Sequence, residues 1–205
     1  MKHSKQLDYL ATIKKNHKII THIEKQKDDE GIDTIWRHLK AMKYATRLSG
    51  IPLIQPYSTA IHCYYTGILF EEIAKYEGII VTPLETKFVY RHDVLETVTG
   101  DVLLPVKIHS ETTKKKWEEI EAEMVESKYR YLHCYTDEFA EEYFSSLSYK
   151  LFKACDLFEL YLFCCEETEL GNMSSGIWAV ISNCRNLLPE FKILTITNYI
   201  NVMHK

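Results

Sequence analysis

Residues 90–107 of the chain read YRHDVLETVTGDVLLPVK, and how this stretch winds decides the fold. Helical winding over Phe88–Val98 puts His92 and Glu96 one turn apart on a shared face, with Asp93 at its border, three residues before Glu96. Gly100 is placed to end that helix, so that Asp101, Leu103, Leu104 and Pro105 turn back over its polar face. One segment therefore offers metal ligands, a general base and a polar turn.

An adjacent His-Asp pair is near chance in a chain with nine histidines, so the pair needs distant partners. His62 lies in IHCYYTGILFEEIAKY, a strongly helical pattern, and Asp156 lies in SYKLFKACDLFELYLFCCEE, a helix apolar nearly all round. A carboxylate in such a helix needs a cation or several hydrogen bonds. The plain alternative pairs Asp156 with Lys153 or Arg185 as a structural salt bridge and leaves His62 as a satisfied core histidine. Together, His62, His92, Asp93 and Asp156 form a mixed nitrogen and oxygen donor set. Such a set suits Mn, Co, Fe, Ni or Zn rather than calcium. A divalent ion of this kind activates water and neutralises charge on a phosphoryl oxygen. Glu96 is then the candidate acid or base; its plain reading is a surface acid paired with Arg91 or Lys87.

The order His62, His92-Asp93, Asp156 resembles that of the HD-domain metal-dependent phosphohydrolases. More narrowly, HDVLETVTGDVLLPVK resembles the HD…E…TGD…PVK signature of the HD-domain 5′-deoxynucleotidases, and KACDLFELYLFCCEETELGN continues the likeness. The resemblance spans residues 46–172. It implies an all-α HD-domain helical bundle, a divalent transition metal held by His62, His92, Asp93 and Asp156, Glu96 as the catalytic group, and removal of the 5′-phosphate from deoxynucleoside monophosphates. Asp101 is the candidate to accept the ribose 3′-hydroxyl, with Leu103 and Leu104 packing against C2′ and Val102 a further substrate contact. A 2′-hydroxyl left unpaired there costs on the order of 1–3 kcal/mol, a physical route to deoxyribose selection. The plain alternative is that Thr99-Gly100-Asp101 is only a helix stop followed by a loop. Lys107 is a candidate phosphate attractor.

The departures from the family pattern are local. Ile61-His62-Cys63 stands where the family shows Glu-His-Ser, and the loop before it is shorter. The family's nucleotide-contacting Arg and following aromatic are sought in RLSGIPLIQPYSTAIH, where Ile54 and Gln55 take the corresponding places as candidate substrate contacts. Base and phosphate selection therefore stay open. Similar HD proteins, including phage dATP triphosphohydrolases, release triphosphate, and that reaction is the alternative. A non-catalytic nucleotide sensor of the same fold is the third reading, favoured only by loss of a ligand or of Glu96.

Composition bounds the rest. With 205 residues, 46% of them hydrophobic, and only seven Gly and five Pro, the chain can bury one sizeable core. Helical periods run over Lys5–Lys25, Thr34–Leu48, Ile61–Tyr76, Leu84–Val98, Thr112–Glu126, Asp137–Glu169 and Ser174–Asn186. Residues 1–45 read as a helical extension packed on a phosphohydrolase domain of residues 46–205. The ending FKILTITNYINVMHK is open between helix, strand and tail. Six cysteines without a CxxC read as reduced thiols, and the lack of a signal peptide or long apolar span points to a cytoplasmic protein with no membrane partner. A net charge of −4 argues against a nucleic-acid polymer and for a mononucleotide. The resemblance further implies a homodimer or larger homo-oligomer. Tyr64, Tyr65, Tyr90 and Tyr161 fall near the proposed ligands in sequence; the plain reading of most tyrosines is amphipathic core edge, with base stacking the alternative for some.

Overall fold

The structure, a computed structural model, describes residues 32–100 and 110–202. Among them the regular elements are helical: α1 (Ile32–Ala41), α2 (Thr59–Glu77), α3 (Pro83–Val89), α4 (Glu96–Thr99), α5 (Glu111–Ser127), α6 (Asp137–Tyr143), α7 (Ser146–Glu169), α8 (Ser175–Leu187) and α9 (Leu194–Val202), with short 3₁₀ turns at Arg130–Tyr135 and Leu188–Phe191. The all-α bundle expected from the sequence is the fold found. The described residues contain no strand, and a single antiparallel bridge joins Thr46 to Ser58.

The frame is α2 packed along α7, with α8 also against α7 and α9 against α2. Ser58 caps α2, its side chain accepting from the Ile61 N–H, and Gly78 closes it in the left-handed conformation (φ 62°) that spares glycine a Cβ clash. Phe70, Phe88, Leu132, Leu151, Phe152 and Tyr161 are fully buried, and Phe88 and Phe152 meet edge to face at 5.4 Å between centroids. Met42 is in the same core and Leu39 packs against it. Glu167, also fully buried, accepts the backbone N–H groups of Ile54 and Gln55 at 2.8 Å each and the Asn172 amide at 2.6 Å, and thereby pins the loop before α2.

The winding of three segments differs from the sequence reading. The helix expected over Thr34–Leu48 ends at Ala41, and Thr46 bridges to Ser58 instead. The helix expected over Leu84–Val98 stops at Val89, and beyond it the N–H groups of Arg91, Val94, Glu96 and Thr97 bond three residues back, to Phe88, Arg91, Asp93 and Val94. The cause is local: His92 Nδ1–H donates to the Val89 carbonyl at 2.8 Å, taking the acceptor that the Asp93 N–H needs to continue an α-helix. The helix expected over Asp137–Glu169 is two, because Phe144 turns extended to bury its ring against Phe88 and Ser145 caps a new start by accepting from the Ser148 N–H at 3.1 Å. The undecided C-terminal stretch is helical over Leu194–Val202, with Ile196 and Ile200 buried and the Thr195 N–H held at 2.6 Å by Glu77. The helix expected over Lys5–Lys25 lies outside the described residues.

All six cysteines are free, and burial pushes the Cys155, Cys164 and Cys184 thiols up, which makes them poor nucleophiles. No helix among the described residues is long and apolar enough to cross a membrane.

Candidate metal centre

The α2–α7 seam gathers the polar groups that the sequence singled out. His62 comes from the first turns of α2, His92 and Asp93 from the tight winding after α3, and Asp156 from mid-α7. His62 Nε2 lies 3.2 Å from His92 Nε2, 2.9 Å from Asp156 Oδ1 and 3.5 Å from Asp93 Oδ2. His92 Nε2 lies 3.3 Å from Asp93 Oδ2 and 3.7 Å from Asp156 Oδ1. The His62 side chain is 0% exposed, whereas Asp93 and Asp156 are 23% and 24% exposed, so the imidazoles form the floor and the carboxylates the open side.

These residues fit a divalent transition ion. Donor atoms of His62, His92 and Asp93 all lie within 4.8 Å of one another, with Asp156 alongside. Each imidazole has its Nδ1 engaged, His92 with the Val89 carbonyl and His62 with Glu159, so both Nε2 atoms face a common point. Burial opposes charge on the imidazoles and the Arg47 cation adds to this at His62. Even so, Glu159 and Asp156 raise His62, and Asp93 together with Cys63 and Asp156 raises His92 well above the usual range. Burial also opposes ionisation of Asp93 and Asp156, yet His92 and Arg47 hold the first, and His62, His92 and Lys153 the second, well below the usual carboxylate range. Since an ion must displace protons from imidazoles that hold them unusually high in pH, metal uptake is expected to release protons and to weaken as pH falls through that raised range. Calorimetric titration with Zn²⁺ in two buffers of different ionisation enthalpy checks this; identical heats in both would contradict it.

Glu96 sits beside this cluster. Arg47 Nη1 donates to its two oxygens at 3.1 and 3.3 Å and also pairs with Asp93, while the Thr59 hydroxyl donates to Glu96 Oε2 at 2.8 Å. Glu96 is therefore not simply a surface acid, and Arg91 turns instead to the Tyr135 hydroxyl at 3.1 Å. Asp156 keeps the plain partner too, with Lys153 Nζ 3.6 Å from Oδ2 while Oδ1 faces the imidazoles. A cleft of about 450 Å³ opens beside Glu96, lined also by Tyr44, Thr46, Ser49, Thr97 and Gly100, a volume in the range of small-ligand sites.

The structure does not bring Ile54 and Gln55 to the centre. Their N–H groups are held by Glu167, which lies eleven residues past Asp156 and so roughly 16 Å further along α7. A guanidinium does reach the centre from the same stretch: Arg47 pairs with Asp93 and Glu96, and its backbone N–H donates to the Tyr57 carbonyl at 3.0 Å next to the Thr46–Ser58 bridge. Tyr57, Thr59 and Glu159 are further groups the sequence reading missed. Only Glu159 carried a local signal, an acid one turn beyond Asp156 on an apolar helix. Of the four tyrosines singled out, Tyr161 is core, Tyr90 donates to Glu71 at 2.8 Å, and Tyr64 and Tyr65 are more than half exposed. Asp101, Val102, Leu103, Leu104 and Lys107 lie outside the described residues.

An α-helical bundle that presents one histidine, a His-Asp pair and a distant aspartate to one point defines an HD-domain metal-dependent phosphohydrolase. The profile of the 5′-deoxynucleotidase YfbR-like family matches residues 34–203, and the chain belongs to that family. Among solved structures it is similar to an HD-domain phosphohydrolase from Listeria innocua (TM-score 0.67, 19% identity, covering 83% of this chain and 86% of that one). It is also similar to the cyanophage S-2L HD phosphohydrolase DatZ, solved with dA and one catalytic Zn²⁺ ion (TM-score 0.57, 16% identity, 80% and 95% covered). A third likeness is to a conserved hypothetical protein from Pyrococcus furiosus (TM-score 0.59, 22% identity, 83% and 96% covered). Comparison with curated proteins finds no match.

Proposed function

We propose that the protein hydrolyses deoxynucleoside 5′-monophosphates to deoxynucleoside and phosphate, with a divalent ion held by His62, His92, Asp93 and Asp156. The observation that carries this reading is the convergence of those four side chains beside an oriented Glu96, in a chain of the YfbR-like family. The dA and Zn²⁺ bound by the cyanophage relative support a deoxynucleoside product and zinc as one competent ion. When bound, the ion supplies charge neutralisation at a phosphoryl oxygen and lowers the proton affinity of water. Glu96, fixed by Arg47 and Thr59, holds or moves the proton on the attacking water or the leaving 5′-oxygen. Arg47 and Lys153 place positive charge on two sides of the carboxylate pair, where a phosphate dianion would otherwise be repelled.

Asp101 and the apolar run Val102, Leu103, Leu104 follow Gly100, which lines the cleft beside Glu96, and this supports their role in gripping the sugar; Lys107 is assigned to phosphate. The net charge of −4 and the buried free thiols support a cytoplasmic enzyme acting on free mononucleotides, and we assign it a homodimeric or larger assembly. Residues 1–45 are assigned as an extension of the domain of residues 46–205.

The test is incubation of Zn²⁺-, Mn²⁺- or Co²⁺-loaded protein with deoxy and ribo mono- and triphosphates, followed by separation of the products. Phosphate from deoxy monophosphates is the expected result. Triphosphate from a dNTP would replace the reading with triphosphohydrolysis, and no product from any of them would leave the nucleotide-sensor role.

A further inference from the structure

Glu159 is a deeply buried acid that no step above uses. It lies one turn beyond Asp156 on α7, its Oε2 contacts Nδ1 of the fully buried His62, and it accepts the Tyr57 hydroxyl at 2.5 Å. That hydroxyl is also 3.2 Å from His62 Nδ1, and the Tyr57 ring is fixed by stacking on Phe163, with centroids 3.7 Å apart and planes 9° apart. A carboxylate at 4% exposure is stable only with such partners, so the three groups form one closed unit behind the His62 ring.

The two imidazoles of the centre are therefore backed differently. His92 Nδ1–H donates to a neutral carbonyl, that of Val89, whereas His62 Nδ1–H faces a carboxylate. A carboxylate partner fixes the ring and its tautomer and makes the opposite nitrogen a stronger donor than a carbonyl partner does. We propose that Glu159, itself braced by Tyr57, is a positioning residue that aims His62 Nε2 at the cation and makes His62 the stronger of the two imidazole ligands. The inference rests on the metal-centre reading given above.

The test is metal affinity, measured by chelator competition with Zn²⁺ on the full chain, with the visible spectrum of the Co²⁺-loaded protein as a second readout. Glu159→Gln keeps the size of the side chain and loses its charge, and is expected to weaken Zn²⁺ binding by about 10–100-fold and to alter the Co²⁺ bands at saturating metal. Tyr57→Phe, which removes only the brace, is expected to have a smaller effect in the same direction. Glu159→Asp, too short to reach, is expected to behave like Glu159→Gln. Should Glu159→Ala fail to fold, Glu159→Gln decides. A Glu159→Gln protein that melts lower when metal-free but binds Zn²⁺ as wild type does, with unchanged Co²⁺ bands, would show a merely structural acid and overturn the inference alone. A wild-type chain that binds neither ion would overturn the metal-centre reading and the inference together.

Discussion

The double variant His92→Ala/Asp93→Ala is expected to lose metal-dependent hydrolysis altogether, a fall of at least about 10³-fold, since it removes an imidazole and a carboxylate from the proposed four-ligand set. The loss has two parts that can be measured separately. Metal content after dialysis should fall to background, because His62 and Asp156 alone leave two donors. Arg47 would also lose Asp93 and be left with Glu96, shifting the acid's carboxylate toward the guanidinium. The same change frees the Val89 carbonyl, so the winding after α3 can lengthen, and far-ultraviolet circular dichroism should show helix content kept or slightly raised. Hydrolysis within tenfold of wild type by the folded double variant would sink the assignment of this cluster as the reaction centre.

The second large effect is expected at Glu96. Glu96→Gln preserves the side-chain size and an oxygen able to accept from Thr59, but the amide cannot take up a proton, so kcat should fall by about 10²–10⁴-fold. Metal stoichiometry should stay at the wild-type value, because the Glu96 oxygens are taken up by Arg47 and Thr59, whereas Asp156 Oδ1 faces the His62 imidazole. Steady-state kinetics with parallel metal analysis distinguishes the roles: a raised KM with kcat intact would mean that Glu96 binds substrate and moves no proton. A loss of metal equal to the loss of rate would instead make Glu96 a ligand.

Much of this centre could be read before any fold was known. His62 and Asp156 announced themselves as polar residues in apolar helical patterns, and His92, Asp93 and Glu96 by their spacing. Arg47 was hidden, because an arginine in a polar turn has no local signature. Only the Thr46–Ser58 bridge and the start of α2 carry it back to Asp93 and Glu96. Tyr57 and Thr59 were hidden for the same reason, whereas Tyr64 and Tyr65 were given weight by nearness in sequence and face outward. Ile54 and Gln55 were matched by position along the chain, and the buried Glu167 draws their backbone to the other end of α7.

The sequence by itself determined the all-α class, which depends on periods of three to four residues that any helix expresses, and through its family resemblance it pointed to the four proposed donors and to Glu96. Tertiary structure alone decided the break at Phe144 and the pairing of Glu159 with His62. It also decided the delivery of Arg47 to the carboxylates. Each of those depends on which side chains from distant parts of the chain meet. Groups far apart in the chain compete for one acceptor or one buried charge, and periodicity carries no record of that competition.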